Sequence, residues 1–192
     1  MKFSVSNVQG AISYRNEVLR VRVFPSGKMS ETPLSMNDWL VTDFRARPVR
    51  HAGYIFHKGF LEAWMQIDEL VRHQIQQYDP SAIKLDGLSM GGAVSGVGAA
   101  LLALSGLPVV HTSYGSPRFL WGKKSRDRFD EHVYSTRHVY GKDLVTSLPP
   151  AWWGYLHGGA AVKMEREEKW KPFQRIRDHF PWGYAISGWS EP

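Results

Sequence analysis

Cysteine is absent from the 192 residues. Disulfide stapling and cysteine-ligated zinc are therefore excluded, and the fold has to rest on its hydrophobic core. The opening residues Met1-Lys2-Phe3-Ser4-Val5-Ser6-Asn7 hold no apolar run of leader length. That lack gives the expectation of a cytoplasmic protein. One long stretch lacks charge, Gly87 to Val110, but Gly87, Gly91, Gly92, Gly96, Gly98, Gly106 and Pro108 interrupt it. Only Ala99 to Leu104 is continuously apolar, so a buried core helix is expected and not a membrane span. There is no H-E-x-x-H, and the eight histidines are scattered, so neither a metal nor a cofactor is expected. An excess of acid is also lacking. Lys and Arg number 24 against 18 Asp and Glu, a net charge of +6, which leaves an anionic membrane surface open as a partner.

What is present is globular. Hydrophobic residues at 43% and charged residues at 22% suit one packed unit, expected to run 1–192. Val18 to Phe24 alternates Leu19, Val21 and Val23 with Arg20 and Arg22, the period of a strand, and Val8 to Tyr14 reads as its partner. Phe60, Leu61, Trp64, Ile67, Leu70, Val71 and Ile75 recur at helical spacing, and Tyr78-Asp79-Pro80 ends that helix. Ala82 to Leu85, Val109 to Tyr114, Val133 to Tyr140 and Ala160 to Met164 read as strands, and Ala93 to Ser105 as a helix of small residues. Strands alternating with helices predict an α/β fold with a mainly parallel sheet.

Gly87-Leu88-Ser89-Met90-Gly91 matches G-x-S-x-G between a strand and a helix. A nucleophile on so sharp a turn needs small neighbours two residues away, because strand and helix approach there. Gly87, Gly91 and Gly92 supply them. Ser89 is the candidate nucleophile, and the backbone N–H of Met90 is a candidate oxyanion donor. A serine hydroxyl needs a base, and the base needs an orienting carboxylate. In α/β-hydrolases these follow in the order Ser, acid, His. Asp143 lies just past the strand ending at Tyr140, where such loops carry chemistry, whereas Asp127, Asp130 and Glu131 sit in a solvated stretch. His157 and His179 both follow Asp143. His157 precedes the last strand, and His179 comes after it, at the catalytic end of a parallel sheet, so His179 is favoured as the base.

Further segments, read with these, resemble the class 3 lipases of the fungal triacylglycerol type. His57-Lys58-Gly59-Phe60-Leu61 resembles V-H-x-G-F, and Gly87 to Ala93 resembles G-H-S-L-G-G-A with Leu88 in place of the histidine. Tyr114-Gly115-Ser116-Pro117-Arg118 resembles F-G-x-P-R, and Asp143 to Pro150 resembles D-I-V-P-x-L-P-P. Gly154-Tyr155-Leu156-His157 resembles G-[FY]-x-H, and Asp178-His179-Phe180 resembles the start of D-H-x-x-Y. The resemblance implies an α/β-hydrolase fold, Asp143 as acid and His179 as base, with His157 non-catalytic. It also implies an oxyanion segment after the strand ending at Phe24. There Phe24-Pro25-Ser26-Gly27 departs from the family's F-R-G-[ST], which leaves Ser26 and Gly27 as candidates.

The reading is a serine ester hydrolase cleaving lipid esters. A phospholipase or small-ester esterase is the alternative within that class. A non-catalytic binder of anionic surfaces, using Arg45, Arg47, Arg50, His51 and Lys58 interleaved with Phe44, Tyr54 and Phe56, is the alternative outside it. Nucleic acid is disfavoured as a partner. Lys28 to Phe44 mixes Met29, Leu34, Met36, Trp39, Leu40 and Phe44 with polar residues, a composition that suits a lid.

Overall fold

The computed structural model describes residues 1–5, 8–24, 47–165, 174–179 and 184. Strands β1 (Lys2–Val5), β2 (Val8–Arg15) and β3 (Val18–Phe24) form an antiparallel meander. Strands β4 (Pro48–His51) and β5 (Tyr54–His57) form a hairpin leading into helix α1 (Lys58–Tyr78). Next come β6 (Ala82–Leu88), α2 (Met90–Leu102), β7 (Val109–Tyr114) and β8 (Leu120–Trp121). They are followed by α3 (Lys123–His132), β9 (Tyr134–Tyr140), β10 (Tyr155–Leu156), β11 (Ala160–Met164) and α4 (Gln174–Arg177).

The main sheet has seven strands in the order β1-β2-β3-β6-β7-β9-β11. From β3 onward every pairing is parallel. The second sheet, β10-β8-β5-β4, is small and antiparallel. The α/β architecture expected from the alternating pattern, and the α/β-hydrolase fold that the resemblance implies, are present, with a mainly parallel central sheet and helices packed on it.

The strand alternation in β3 has a direct structural cause. Leu19, Val21 and Val23 are fully buried in the core, while Arg20 and Arg22 project to the other face. There the Arg22 Nε donates to Asp86 Oδ2 at 2.8 Å, and Arg20 lies 3.4 Å from Asp86 Oδ1, so the buried carboxylate on β6 is doubly compensated. Helix α1 buries Phe60, Leu61, Trp64, Ile67 and Val71 on one face. Its end is fixed by Asp79 in the left-handed conformation (φ 44°), whose N–H donates to the Ile75 carbonyl at 2.9 Å.

Helix α2 is buried along its whole length, which its small residues make possible. A Cβ at Gly98 would lie 2.3 Å from Trp64 Cζ3, so the Trp64 ring of α1 packs directly on the backbone of α2. The uncharged stretch is thus a core helix with a strand on either side. Among the described residues no helix is long and apolar enough to cross a membrane.

The two strands and the long helix read from the first half of the chain are found within a residue or two of their expected bounds. The turn between the strand expected over Ala82 to Leu85 and the helix expected over Ala93 to Ser105 is much tighter. The strand runs on through Leu88 and the helix starts at Met90, leaving Ser89 alone between them. Helix α3 and the small sheet were not anticipated. Helix α3 buries only Ser125 and Phe129, which is too narrow an apolar stripe to show as a period. The expected lid segment, Lys28 to Phe44, lies outside the described residues.

Candidate active site

Ser89 joins β6 to α2 with φ 55° and ψ −127°, a conformation that L-residues avoid. Its N–H donates to the Tyr114 carbonyl at 2.8 Å, and its own carbonyl accepts from Gly92 N–H at 3.0 Å. The glycines around it are dictated by contact. A Cβ on Gly87 would lie 2.2 Å from the Gly91 carbonyl oxygen, and one on Gly91 would lie 2.3 Å from that of Val23. Strand β6, helix α2 and strand β3 can converge at this point only because those positions carry no side chain. The turn also places Met90 as the first helical residue, where a backbone N–H has no acceptor within the helix.

The ends of the parallel strands bring three distant residues into one row. Ser89 follows β6, Asp143 follows β9, and His179 follows α4. The Ser89 Oγ is 2.8 Å from His179 Nε2, and His179 Nδ1 is 2.9 Å from Asp143 Oδ2. All three residues are buried. Asp143 is held from both sides, since its Oδ1 accepts the Val145 N–H at 2.8 Å. A buried carboxylate facing one imidazole nitrogen fixes the ring's orientation, while the other nitrogen faces the hydroxyl and can take its proton. The row therefore has the parts and the spacing of a general-base-assisted nucleophile.

Gly115 explains the glycine in the Tyr114-Gly115-Ser116-Pro117-Arg118 segment. It adopts φ 59°, and a Cβ there would lie 2.9 Å from Asp143 Oδ2. Arg118 holds the loop after Asp143. Its N–H donates to Leu148 O at 2.6 Å and its Nη1 to Pro149 O at 2.8 Å, with a further bond to Ser147 O.

Two residues of the site were missed from the sequence. The Tyr184 hydroxyl donates to Asp143 Oδ2, the same oxygen that faces His179, and accepts from the Tyr140 N–H at 3.2 Å. Burial, and then the Asp143 carboxylate, hold this phenol far above its usual pKa, so it remains a donor. The usable signal was the tyrosine of D-H-x-x-Y, displaced here to the fifth residue after His179. Asp178 is the second. Its buried carboxylate accepts the Lys142 N–H at 2.8 Å and fastens the segment carrying His179 to the loop carrying Asp143.

The remaining histidines have other surroundings. His157 Nε2 is 2.8 Å from the Thr146 carbonyl, away from Ser89, and burial pushes its pKa down to about 3. His111 lies buried under the elbow, with Nδ1 2.9 Å from Ser135 Oγ and Nε2 3.2 Å from both Ser95 Oγ and Gly92 O. Burial lowers its pKa to about 4. His57 is buried and stacks on Phe60 at 4.3 Å, and burial likewise brings it to about 4. Ser26 and Gly27, the candidate oxyanion partners of Met90, lie outside the described residues.

Comparison with known proteins places these features in a family. The family model "Lipase (class 3)" matches residues 29–153, more than half of the chain. A secreted mono- and diacylglycerol lipase 1 of Fusarium solani is 35% identical over 115 residues, covering 55% of this chain and 33% of that protein. A secreted mono- and diacylglycerol lipase 2 of Gibberella zeae is 29% identical over 130 residues, covering 58% of this chain and 31% of that protein. The chain thus spans about a third of the length of these curated relatives. Among solved structures, the mono- and diacylglycerol lipase of Aspergillus oryzae superposes with a TM-score of 0.75 at 20% identity, over 88% of this chain and 64% of that one. That likeness is one of fold.

The relatives overturn the expectation of a cytoplasmic protein, because two of them are named as secreted lipases. The expectation rested on the lack of an apolar leader in Met1 to Asn7, and such a lack does not specify a compartment. The matched family model, the elbow and the fold agree, and the chain belongs to the class 3 lipase family.

Proposed function

We propose that this chain is a serine ester hydrolase acting on lipid esters, with Ser89 as nucleophile, His179 as general base and Asp143 as the acid that orients it. The observation that carries the reading is the unbroken, buried row Ser89 Oγ to His179 Nε2 to His179 Nδ1 to Asp143 Oδ2, at 2.8 and 2.9 Å.

In this reading His179 Nε2 takes the Ser89 proton as Oγ attacks the ester carbonyl. The electron pair moves onto the carbonyl oxygen. The Met90 N–H, with a group near Ser26 or Gly27, stabilises the oxyanion. Collapse expels the alcohol, which receives the proton from the imidazolium, and leaves an acyl-Ser89. Water, deprotonated by His179, then repeats the addition and releases the acid. Asp143 stays ionised throughout and stabilises the imidazolium. Tyr184 and the Val145 N–H keep that carboxylate in place. The names of the secreted mono- and diacylglycerol lipases support glycerol esters as the substrate class and action outside the cell. The net charge of +6 supports work at an anionic membrane surface.

The test is hydrolysis of a p-nitrophenyl ester series by the wild type and by Ser89→Ala, with labelling by a fluorophosphonate in parallel. Hydrolysis and labelling that both vanish in a folded Ser89→Ala protein are expected. Activity near the wild-type level in that variant would reject the nucleophile. A binder of anionic surfaces would give no labelling in either protein.

A further inference from the structure

We propose that the Trp152–Trp153 turn, with the cationic start of α3 beside it, is the surface on which this protein docks to an anionic lipid surface. The proposal rests on the function above only for what the docking would serve.

The first observation is exposure. The 3-10 turn Ala151–Trp153 presents Trp152 at 84% and Trp153 at 52% of full accessibility. Two adjacent indoles in water are costly, because each ring carries on the order of 150–250 Å² of mostly apolar surface. Every other tryptophan whose placement is described is buried or half-buried.

The second observation is that the backbone beneath these rings is fixed. The Trp153 N–H donates to Pro150 O at 3.1 Å and the Gly154 N–H to Ala151 O at 2.9 Å. Trp121 Nε1 donates to Trp153 O at 2.8 Å, and the Gly122 N–H to Gly154 O at 2.9 Å. Arg118 ties down the carbonyls of Ser147, Leu148 and Pro149 immediately before the turn. The indoles are thus held outward by a rigid support, so insertion carries little ordering cost.

Position and charge select the occupant. The turn belongs to the segment that leaves Asp143, and Arg118 fastens that segment to the loop after β7. Gly122, bonded to Gly154, leads directly into Lys123-Lys124-Ser125-Arg126. Three cations meet one nearby carboxylate there, Asp127, which pairs with Lys123 and Arg126. Asp130 and Glu131 follow further along α3, and Asp130 is engaged by the Gly159 N–H. Aromatic rings at headgroup depth, flanked by lysines that reach phosphates, match an anionic membrane interface.

The experiment uses Ser89→Ala protein, which leaves the vesicles intact, and measures co-sedimentation with phosphatidylcholine vesicles and with vesicles containing phosphatidylglycerol. The parent should bind the anionic vesicles more tightly, and salt should weaken that binding. Trp152→Ala/Trp153→Ala should lower the partition coefficient at least about tenfold on both compositions. Lys123→Gln/Lys124→Gln should lower it roughly fivefold per cation on the anionic vesicles alone. The single variant Trp152→Ser, at the more exposed position, should reproduce part of the loss with an unchanged circular dichroism spectrum. With Ser89 restored, all variants should hydrolyse a soluble p-nitrophenyl ester at the wild-type rate. Partition unaffected by the tryptophan variants, or a parent that binds neither vesicle, overturns the docking surface and leaves the hydrolase reading standing. No hydrolysis by the wild type with intact vesicle binding would have the reverse meaning.

Discussion

At the scale of single residues, the site is governed by what one side chain or one missing side chain permits. Ser89 sits at φ 55° and ψ −127°, a strained conformation worth of the order of 1–3 kcal/mol. Glycine adopts it freely, so Ser89→Gly should be inactive and yet more stable than the wild type, by about 1 kcal/mol in urea unfolding. A variant less stable than wild type would remove the strain argument. His179→Ala should lower kcat by several orders of magnitude, whereas His157→Ala should act mainly on stability, because His157 is bonded to Thr146 O and not to the nucleophile. Ester hydrolysis and unfolding measured on both variants separate these roles. Tyr184→Phe removes one donor from the Asp143 oxygen that faces His179. A hydrogen bond to a charged group is worth about 1.5–3 kcal/mol, so kcat/KM should fall by roughly tenfold or more with the fold retained.

At the scale of elements, the decisive contact is α1 against α2. Trp64 is fully buried, and its ring occupies the space where a Cβ of Gly98 would sit, 2.3 Å from Cζ3. Gly98→Ala should therefore destabilise by about 1–3 kcal/mol through overpacking, although alanine is the better helix former. Thermal unfolding of Gly98→Ala, beside Gly98→Ala/Trp64→Phe, checks this, and relief by the smaller ring is the expected outcome. Helix α1 was legible because its buried positions recur at three and four residues. Helix α3 was not, because most of its surface is solvated and its sequence, Lys123–His132, is dominated by charge.

At the scale of the whole molecule, the fold buries three histidines in neutral form. Burial holds His57 and His111 at about 4 and His157 at about 3, against the usual 6.5. The unfolded chain binds protons at these sites below pH 6.5 and the folded chain does not, so stability is complete above that pH and is lost as pH falls toward 4. Each histidine contributes a slope of up to about 1.4 kcal/mol per pH unit in this window. Urea midpoints measured from pH 7 to pH 5 should fall steadily, and a flat profile would contradict the neutral burial of these rings.

The sequence by itself determined most of the main-sheet strands and the two long helices, and singled out Ser89 as the candidate nucleophile. Alternation in β3, helical spacing in α1 and the glycines around Ser89 are local properties, fixed by periods of two and 3.6 residues and by steric size. Chain order also pointed to Asp143 and to the choice of His179 over His157. What only the tertiary structure decided is convergence. Ser89, Asp143, His179 and Tyr184 lie up to 95 residues apart in the chain (184 − 89), and they meet because parallel strands deliver successive loops to one edge of the sheet. Tyr184 on Asp143, His111 beneath the elbow and the outward pair Trp152 and Trp153 depend on which surfaces face each other after packing, and no local period encodes that.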